Sequence, residues 1–317
     1  MWIFELEYMR NALVAALLIG TTAPAVGIYL VQRRLALLGD GFGHVALTGV
    51  GLGLLTGTAP IWTALLATVV GAIAVELLRT KGRTSSDVAL SVIFYGGIAG
   101  GVVLVSVAPG DQATNLDSYL FGSIATTRGT DLIGFAVLAG VVLAVAIGLG
   151  RLLFTVGSDE EFARSAGLPV LALNLVLAVL VAVTVVVSMR VVGLLLVSAL
   201  MILPVATAQR LRAGFAGTLS LSVVIGLVVS VGGVFGSYAL NTPSGGTIVL
   251  FAIALFVLAA LGGALLGRRR RAHAEAEEHL HRHGPSCGHS AVRHEDHVDY
   301  VHDGHRHAAH GAHYDEH

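Results

Sequence analysis

The sequence predicts an all-α polytopic membrane protein with about eight or nine transmembrane helices and a disordered, histidine-rich C-terminal tail. Two observations support this fold class. Hydrophobic residues make up 55% of the chain and charged residues only 12%, whereas soluble domains carry about 25% charged residues. Thirteen of the 14 histidines lie between His273 and His317, beyond the apolar part of the chain. We therefore divide the chain into a transmembrane domain, residues 1–267, and a tail, residues 268–317.

Nine apolar stretches are candidates for transmembrane helices, because a spanning helix needs about 20 mostly apolar residues. The two weakest are 38–58, which contains Asp40 and His44, and 191–210, which contains Pro204. Eight spans with one re-entrant segment are the alternative. The more polar segment 109–130 is expected to form a short helix at the outer mouth. The nine candidates are 11–32, 38–58, 60–79, 87–108, 131–150, 169–189, 191–210, 214–238 and 244–266.

The distribution of lysine and arginine predicts the orientation, because cytoplasmic loops are enriched in these residues. With nine spans and the N-terminus outside, 13 basic residues of loops and span ends lie inside, and only Arg10, Arg128 and Arg190 lie outside. This predicts a multi-pass protein of the cytoplasmic membrane with a cytoplasmic tail. The basic residues form no continuous face, so nucleic acid is not expected as a partner.

One carboxylate–imidazole pair lies within the apolar domain. Asp40 and His44 are four residues apart, so on a helix they share a face at about 6 Å. They could present one oxygen and one nitrogen to a divalent ion, and ionisable residues in a span are candidates for functional sites. In the alternative, Asp40 caps the helix and His44 hydrogen-bonds a neighbouring helix. Thr48 lies one turn further along the same face. Three glycines at a spacing of four are expected to pack against another helix: Gly49, Gly53 and Gly57.

A charged interlude, residues 158–169, separates two of the candidate spans. Ser158 or Asp159 can cap a short helix, acidic residues fill the first turn, and Gly167 to Pro169 end it. An ordinary solvated loop is one interpretation of this pattern. A helix that docks a soluble partner is the other, with Asp159, Glu161, Arg164 and Gly167 as the residues concerned.

The tail opens with four arginines, Arg268 to Arg271, which form a stop-transfer anchor beside anionic lipid. Beyond them the chain has too few apolar residues to offset the entropy of ordering, so we expect disorder in the absence of metal. Imidazoles interleaved with acids can hold several zinc ions loosely. The candidate tail ligands are His279, His281, His283, His302, His305, His307, His310 and His313.

The sequence contains no G-x-x-x-x-G-K-[ST] phosphate-binding loop. We therefore expect the chain not to be an enzyme, and any ATP hydrolysis to come from a separate subunit. No stably bound cofactor is expected.

The run Gln32 to Val50, with Gly39-Asp40-Gly41-Phe42-Gly43-His44 at its centre, resembles the membrane permease of zinc- and manganese-type metal ABC importers. The likeness covers about residues 10–267 and does not include the tail. Three further stretches resemble the same family in the same order: Asp159–Pro169, Val192–Ala208 and Asn241–Gly245.

The resemblance implies a homodimeric permease in the lipid bilayer, two cytoplasmic ATP-binding subunits, and an extracytoplasmic solute-binding protein that delivers the metal. It also implies that Asp40 and His44 contact the metal along the pathway. Residues 159–167 resemble the coupling helix that docks into the ATPase in this family. Family members usually have about eight spans.

The expected function is the import of a divalent transition metal as substrate. Zinc comes first, because an imidazole-rich tail suits zinc better than the harder manganese ion; manganese and iron are the alternatives. The competing hypothesis is an ATPase-independent secondary zinc transporter with a sensing tail, which would need more than one acid–imidazole pair in its spans. A membrane metalloprotease is disfavoured, because the spans carry no H-E-x-x-H motif.

Overall fold

A computed structural model describes residues 5–80, 86–109, 116–122, 129–189, 192–194, 196–212, 214–271, 288–294, 297–302, 305–310 and 313–316. Residues 1–259 and 260–317 are two compact units, which are described separately. The helices are α1 (Glu7–Gln32), α2 (Leu38–Thr56), α3 (Pro60–Thr80), α4 (Ser86–Ser106), α5 (Leu116–Phe121), α6 (Gly129–Gly148), α7 (Gly150–Ser158), α8 (Glu160–Ser165), α9 (Val170–Ser188), α10 (Val197–Leu211), α11 (Phe215–Leu240) and α12 (Ser244–Arg271).

Seven helices in the described part of the chain are long and apolar enough to cross a membrane: α1, α2, α3, α4, α9, α11 and α12. Helices α6 and α7 form a pair bent by 63° at their junction, which gives an eighth span if the pair is counted as one broken span. Just before the break, the carbonyl of Ala146 accepts a hydrogen bond of 2.9 Å from the Tyr29 hydroxyl, the kind of side-chain contact that accompanies helix kinks. The predicted all-α polytopic membrane fold is confirmed.

The candidate span 191–210, the seventh in chain order, is not a full-length helix, which corrects the count of nine. Helix α10 begins only at Val197 and has 15 residues, or about 22 Å at 1.5 Å per residue. Before it, the buried residues Val192 to Leu194 are not helical. Gly193 has a φ of 87°, and the Leu194 N–H donates a 2.9 Å hydrogen bond to the carbonyl of Tyr119 in α5. Irregular backbone within a membrane is tolerated where protein surrounds it, and α5 provides that partner here.

Helix α1 is at the centre of the first unit. Its apolar window is 72% buried, against 22% for α4 and for α12, so α4 and α12 present most of their apolar surface outward. Close packing on α1 depends on glycine. A Cβ at Gly20 would lie 2.9 Å from the carbonyl oxygen of Gly226 in α11, and one at Gly27 would collide with the carbonyl of Met201 in α10.

Helix α2 packs between α3 and α4, and two of its three regularly spaced glycines contact α3 as expected. A Cβ at Gly49 would lie 2.5 Å from the Cα of Ala64, and one at Gly53 would lie 2.8 Å from the Cα of Pro60. The packing expectation for Gly57 is wrong. This residue is the left-handed C-cap of α2, with a φ of 67°, and no described atom lies within 4 Å of the position of a Cβ.

The second unit includes a small antiparallel sheet in the order β1-β2-β3-β4. The expectation of a disordered tail does not extend to these residues. The strands are regularly spaced despite the polar composition. Two residues separate each strand from the next, a spacing that suits hairpins. The strands are β1 (Ser290–His294), β2 (His297–His302), β3 (His305–His310) and β4 (His313–Glu316).

Candidate functional site

The carboxylate and the imidazole of the transmembrane domain lie on one stripe of α2. Asp40 and His44 are one helical turn apart, and both are half-buried. On the opposite side of the helix, Phe42, Ala46 and Val50 are fully buried in the core. The local helix therefore leaves the two ionisable side chains on the less covered face, as their spacing predicts.

Asp40 is held by a residue that is distant in sequence. The Ser198 hydroxyl donates a 2.7 Å hydrogen bond to Oδ1 of Asp40, and Ser198 is the second residue of α10. The N-terminus of a helix carries a partial positive charge, which stabilises a nearby carboxylate. The short α10 thus brings its positive end to Asp40. The sequence does not predict this contact, because no spacing pattern links positions 40 and 198.

His44 is oriented by α4. Its ring lies edge-on against Phe94, with the ring centroids 4.3 Å apart at an interplanar angle of 73°. The α4 backbone approaches closely at Gly97, where a Cβ would lie 2.7 Å from the carbonyl carbon of His44. The Thr48 hydroxyl donates a 2.7 Å hydrogen bond to the carbonyl of Gly97. Thr48 therefore joins two helices, whereas the imidazole of His44 keeps a half-exposed face.

The pair can supply part of a metal coordination shell. Among the residues that the structure describes, Oδ1 is the only Asp40 oxygen in a hydrogen bond, which leaves Oδ2 for an ion. Zinc takes about four ligands and manganese about six. In the described part of residues 1–259, no third histidine, cysteine or acidic residue completes a cluster with the pair. Within the described residues, further ligands could be backbone carbonyls, hydroxyls or water, and a second chain could add others.

The predicted short helix in the charged interlude is confirmed as α8. The Asp159 carboxylate accepts a 2.8 Å hydrogen bond from the Phe162 N–H, which is the expected cap. Arg164 pairs with Glu160 at 2.6 Å, and Gly167 ends the segment with a φ of 78°. The helix presents an exposed face, on which the side chain of Phe162 is 60% exposed. The charge pattern did not identify Phe162, although a lone aromatic among charged residues is the available signal.

Two polar contacts join the end of α1 to its neighbours close to α8. Gln32 donates a 2.6 Å hydrogen bond to the hydroxyl of Ser158, and Arg33 donates one of 2.6 Å to Asn174. Burial lowers the pKa of the Arg33 guanidinium, while Glu76 and Glu160 act in the opposite direction. These contacts link the end of α1 to the end of α7, directly before α8, and to α9.

The predicted tail ligands are placed only in part. His279, His281 and His283 lie outside the described residues. Within the sheet, His302 is the backbone partner of His305, and His310 is the partner of His313. His307 is 4% exposed, on β3. Their metal binding stays a prediction.

A helical membrane bundle with an acid–imidazole pair inside a span, and with an exposed capped helix at one end, has the features of a membrane transport protein. A comparison with family models makes the class specific. The ABC 3 transport family matches residues 5–263. The chain belongs to this family.

Relatives with assigned names are transport proteins for different metals. The chain is 34% identical over 255 residues to a probable metal transport system membrane protein of Treponema pallidum, covering 80% of this chain and 95% of that one. It is 31% identical to the manganese transport system membrane protein MntC of Halalkalibacterium halodurans, covering 80% and 86%. It is 29% identical to the high-affinity zinc uptake system membrane protein ZnuB of Haemophilus influenzae, covering 80% and 96%.

A solved structure supports the same fold. A chain of PsaBC from Streptococcus pneumoniae, in complex with Fab, superimposes with a TM-score of 0.73 at 29% sequence identity, covering 81% of this chain and 92% of that chain. The chain is therefore a metal-transport permease of the ABC class, and the comparisons do not support the secondary transporter.

Proposed function

We propose that this chain is the permease subunit of an ATP-driven importer of zinc across the cytoplasmic membrane. The observation that carries the proposal is the half-exposed Asp40–His44 stripe of α2, oriented by Ser198 from one side and by Phe94 from the other. Transition-metal ligands must be deprotonated carboxylates or neutral imidazoles at defined positions. This stripe offers one of each.

The preference for zinc depends on the tail. The named relatives include both manganese and zinc systems, and one carboxylate with one imidazole suits either ion. Imidazole-rich surroundings favour zinc over manganese. Thirteen histidines in the last 45 residues therefore support zinc as the substrate, with the tail as a cytoplasmic buffer or sensor.

We place the α8 end of the bundle in the cytoplasm, with the N-terminus outside. Arg33 follows the last residue of α1, Arg79 is in the last turn of α3, and Arg164 is in α8. Arg164 and Thr80, the last residue of α3, line one surface cleft of about 490 Å³, which places these helix ends on the same side. Basic residues concentrate on the cytoplasmic side of membrane proteins. In this position the exposed face of α8 is available to a separate ATP-binding subunit, and Phe162 is the natural anchor, because exposed aromatics dominate many interfaces.

A homodimer would add ligands to the incomplete pair, since a second copy brings a second Asp40 and His44. A solute-binding protein on the outer side would supply the metal. Both partners are those that the resemblance to metal ABC importers implies.

Metal uptake by cells tests the proposal. Asp40→Asn and His44→Ala should insert normally and reduce uptake of radiolabelled zinc by at least about tenfold at limiting metal, because each removes a ligand. Thr184→Val is the matched control. The buried hydroxyl of Thr184 donates only within its own helix, to Leu180 at 2.7 Å, so uptake by this variant should equal that of the wild type.

Wild-type uptake by both ligand variants would exclude Asp40 and His44 as metal ligands. Uptake that persists in cells without the ATP-binding subunit would favour a secondary transporter, and preferential uptake of manganese would refute the zinc assignment.

A further inference from the structure

The paired strands β1 and β2 of the tail sheet bring together three potential metal ligands that are separate from the predicted tail ligands. His294 ends β1 and His297 begins β2, and the antiparallel register pairs these two residues directly. Asp299 is two residues further along β2, so it extends from the same face of the sheet as His297. One ligand atom from each of the three residues lies within 4.8 Å of the other two.

The distances suit a single small cation. His297 Nε2 lies 3.1 Å from Asp299 Oδ1, and His294 Nδ1 lies 3.7 Å from Asp299 Oδ2. Two ligands about 2.0–2.1 Å from a zinc ion, at the tetrahedral angle, are roughly 3.3 Å apart. The observed distances lie on either side of that value, so a small movement of the side chains would close them around one ion.

The burial of Asp299 is the strongest sign that a cation belongs there. Its side chain is 0% exposed, and neither carboxylate oxygen makes a hydrogen bond within the described part of the chain. A buried carboxylate is unfavourable unless it is paired, hydrogen-bonded or bound to a metal. The imidazoles of His294 and His297 are at ion-pair distance but half-exposed, so an ion could enter from their side.

The sequence repeats the same arrangement, which is independent support. The pattern of two histidines three residues apart, followed two residues later by aspartate or histidine, recurs every eight residues. In each repeat the two histidines are backbone partners across consecutive strands. In the second repeat His307 takes the place of Asp299 and is 4% exposed. The repeats are His294-x-x-His297-x-Asp299, His302-x-x-His305-x-His307 and His310-x-x-His313-x-Asp315.

We propose that His294, His297 and Asp299 form a binding site for one divalent transition-metal ion, zinc above all. Two imidazole nitrogens and one carboxylate oxygen favour zinc and its neighbours over calcium or magnesium. Three protein ligands leave a fourth position open, as in exchangeable zinc sites. The site therefore holds a metal that can still be passed on, in contrast to a loose histidine cluster. It does not depend on the proposed transport pathway.

Cobalt titration of the purified full-length chain in detergent tests the site, because Co²⁺ is a visible probe of zinc sites. The wild type should show the absorption of tetrahedral Co²⁺, and zinc should displace it. Asp299→Asn and His297→Asn should each weaken the tightest tail site by at least about tenfold. His289→Asn and Asp303→Asn remove a tail histidine and a tail carboxylate from outside the cluster, and should leave the affinity unchanged.

A second variant reports ligation directly. In a Cys287→Ser background, His297→Cys should add a sulfur-to-cobalt charge-transfer band, which a purely structural role for His297 would not produce. Equal affinity in all four substitutions, together with no charge-transfer band from His297→Cys, would overturn the proposal. If the wild type shows no tail site but zinc uptake follows the prediction, only the tail proposal fails. If Asp40→Asn loses uptake but keeps the cobalt spectrum, the tail site does not depend on the transport pathway.

Discussion

Replacing Ser198 by alanine tests how far α10 controls the proposed metal site. The substitution removes the 2.7 Å hydrogen bond to Asp40 and little else, because Ser198 is almost fully buried and alanine fits the same space. A hydrogen bond to a charged group contributes about 1.5–3 kcal/mol. Asp40 is half-buried rather than enclosed, so the lower end applies. A loss of about 1.4 kcal/mol corresponds to a tenfold change in affinity.

We therefore expect Ser198→Ala to raise the zinc concentration for half-maximal uptake by roughly tenfold. Initial uptake rates over a range of free zinc, normalised to the amount of protein in the membrane, measure this quantity. Ser198→Thr keeps a hydroxyl and should restore most of the affinity. Ser230→Ala is the matched control, because the buried hydroxyl of Ser230 has no hydrogen-bond partner in the described structure. Equal values for Ser198→Ala and the wild type, or an equal loss in Ser230→Ala, would refute the proposed role of α10.

Three further predictions concern packing, docking and the tail. Gly97→Val should lower the thermal midpoint of the purified protein, since overpacking costs about 1–3 kcal/mol and the new Cβ meets the His44 backbone at 2.7 Å; Gly96→Val, where no described atom lies within 4 Å, should not. Phe162→Ala should reduce co-purification of the ATP-binding subunit severalfold without changing the midpoint, because the ring is 60% exposed; undiminished co-purification would exclude it as an anchor. Deletion of residues 272–317 should preserve initial zinc uptake and change only retention at high zinc, and complete loss of uptake with normal expression would contradict this.

The long apolar helices and the capped α8 could be predicted from the sequence because their signals are local. Hydropathy over about 20 residues identifies a span, and Asp159 before an acidic first turn identifies a helix start. Asp40 and His44 could be placed on one face for the same reason, since a spacing of four residues fixes their relation on any helix.

The late start of α10 could not be predicted, because it depends on a contact between distant segments. Residues 191–197 are apolar, and the non-helical start appears only in the structure, in the φ of 87° at Gly193 and the hydrogen bond from Leu194 to Tyr119. The hydrogen bond from Ser198 to Asp40 could not be predicted either, because no sequence pattern links the two positions. The tail strands have a different explanation: the polar, histidine-rich composition predicts disorder, whereas the signal for the strands is an eight-residue period that matches successive hairpins.

The backbone contacts around Gly193 have a mechanical consequence. Any side chain at Gly193 would collide with the carbonyl of Leu120, and any at Gly245 would collide with the carbonyl of Val192. Helix α5, the segment before α10 and the start of α12 are therefore wedged together, so none of them can swing alone. Ser198 is only five residues beyond Gly193. The hydroxyl that holds Asp40 is therefore anchored close to this wedge, and the position of the Asp40 carboxylate depends on glycines that lie far from it in the sequence.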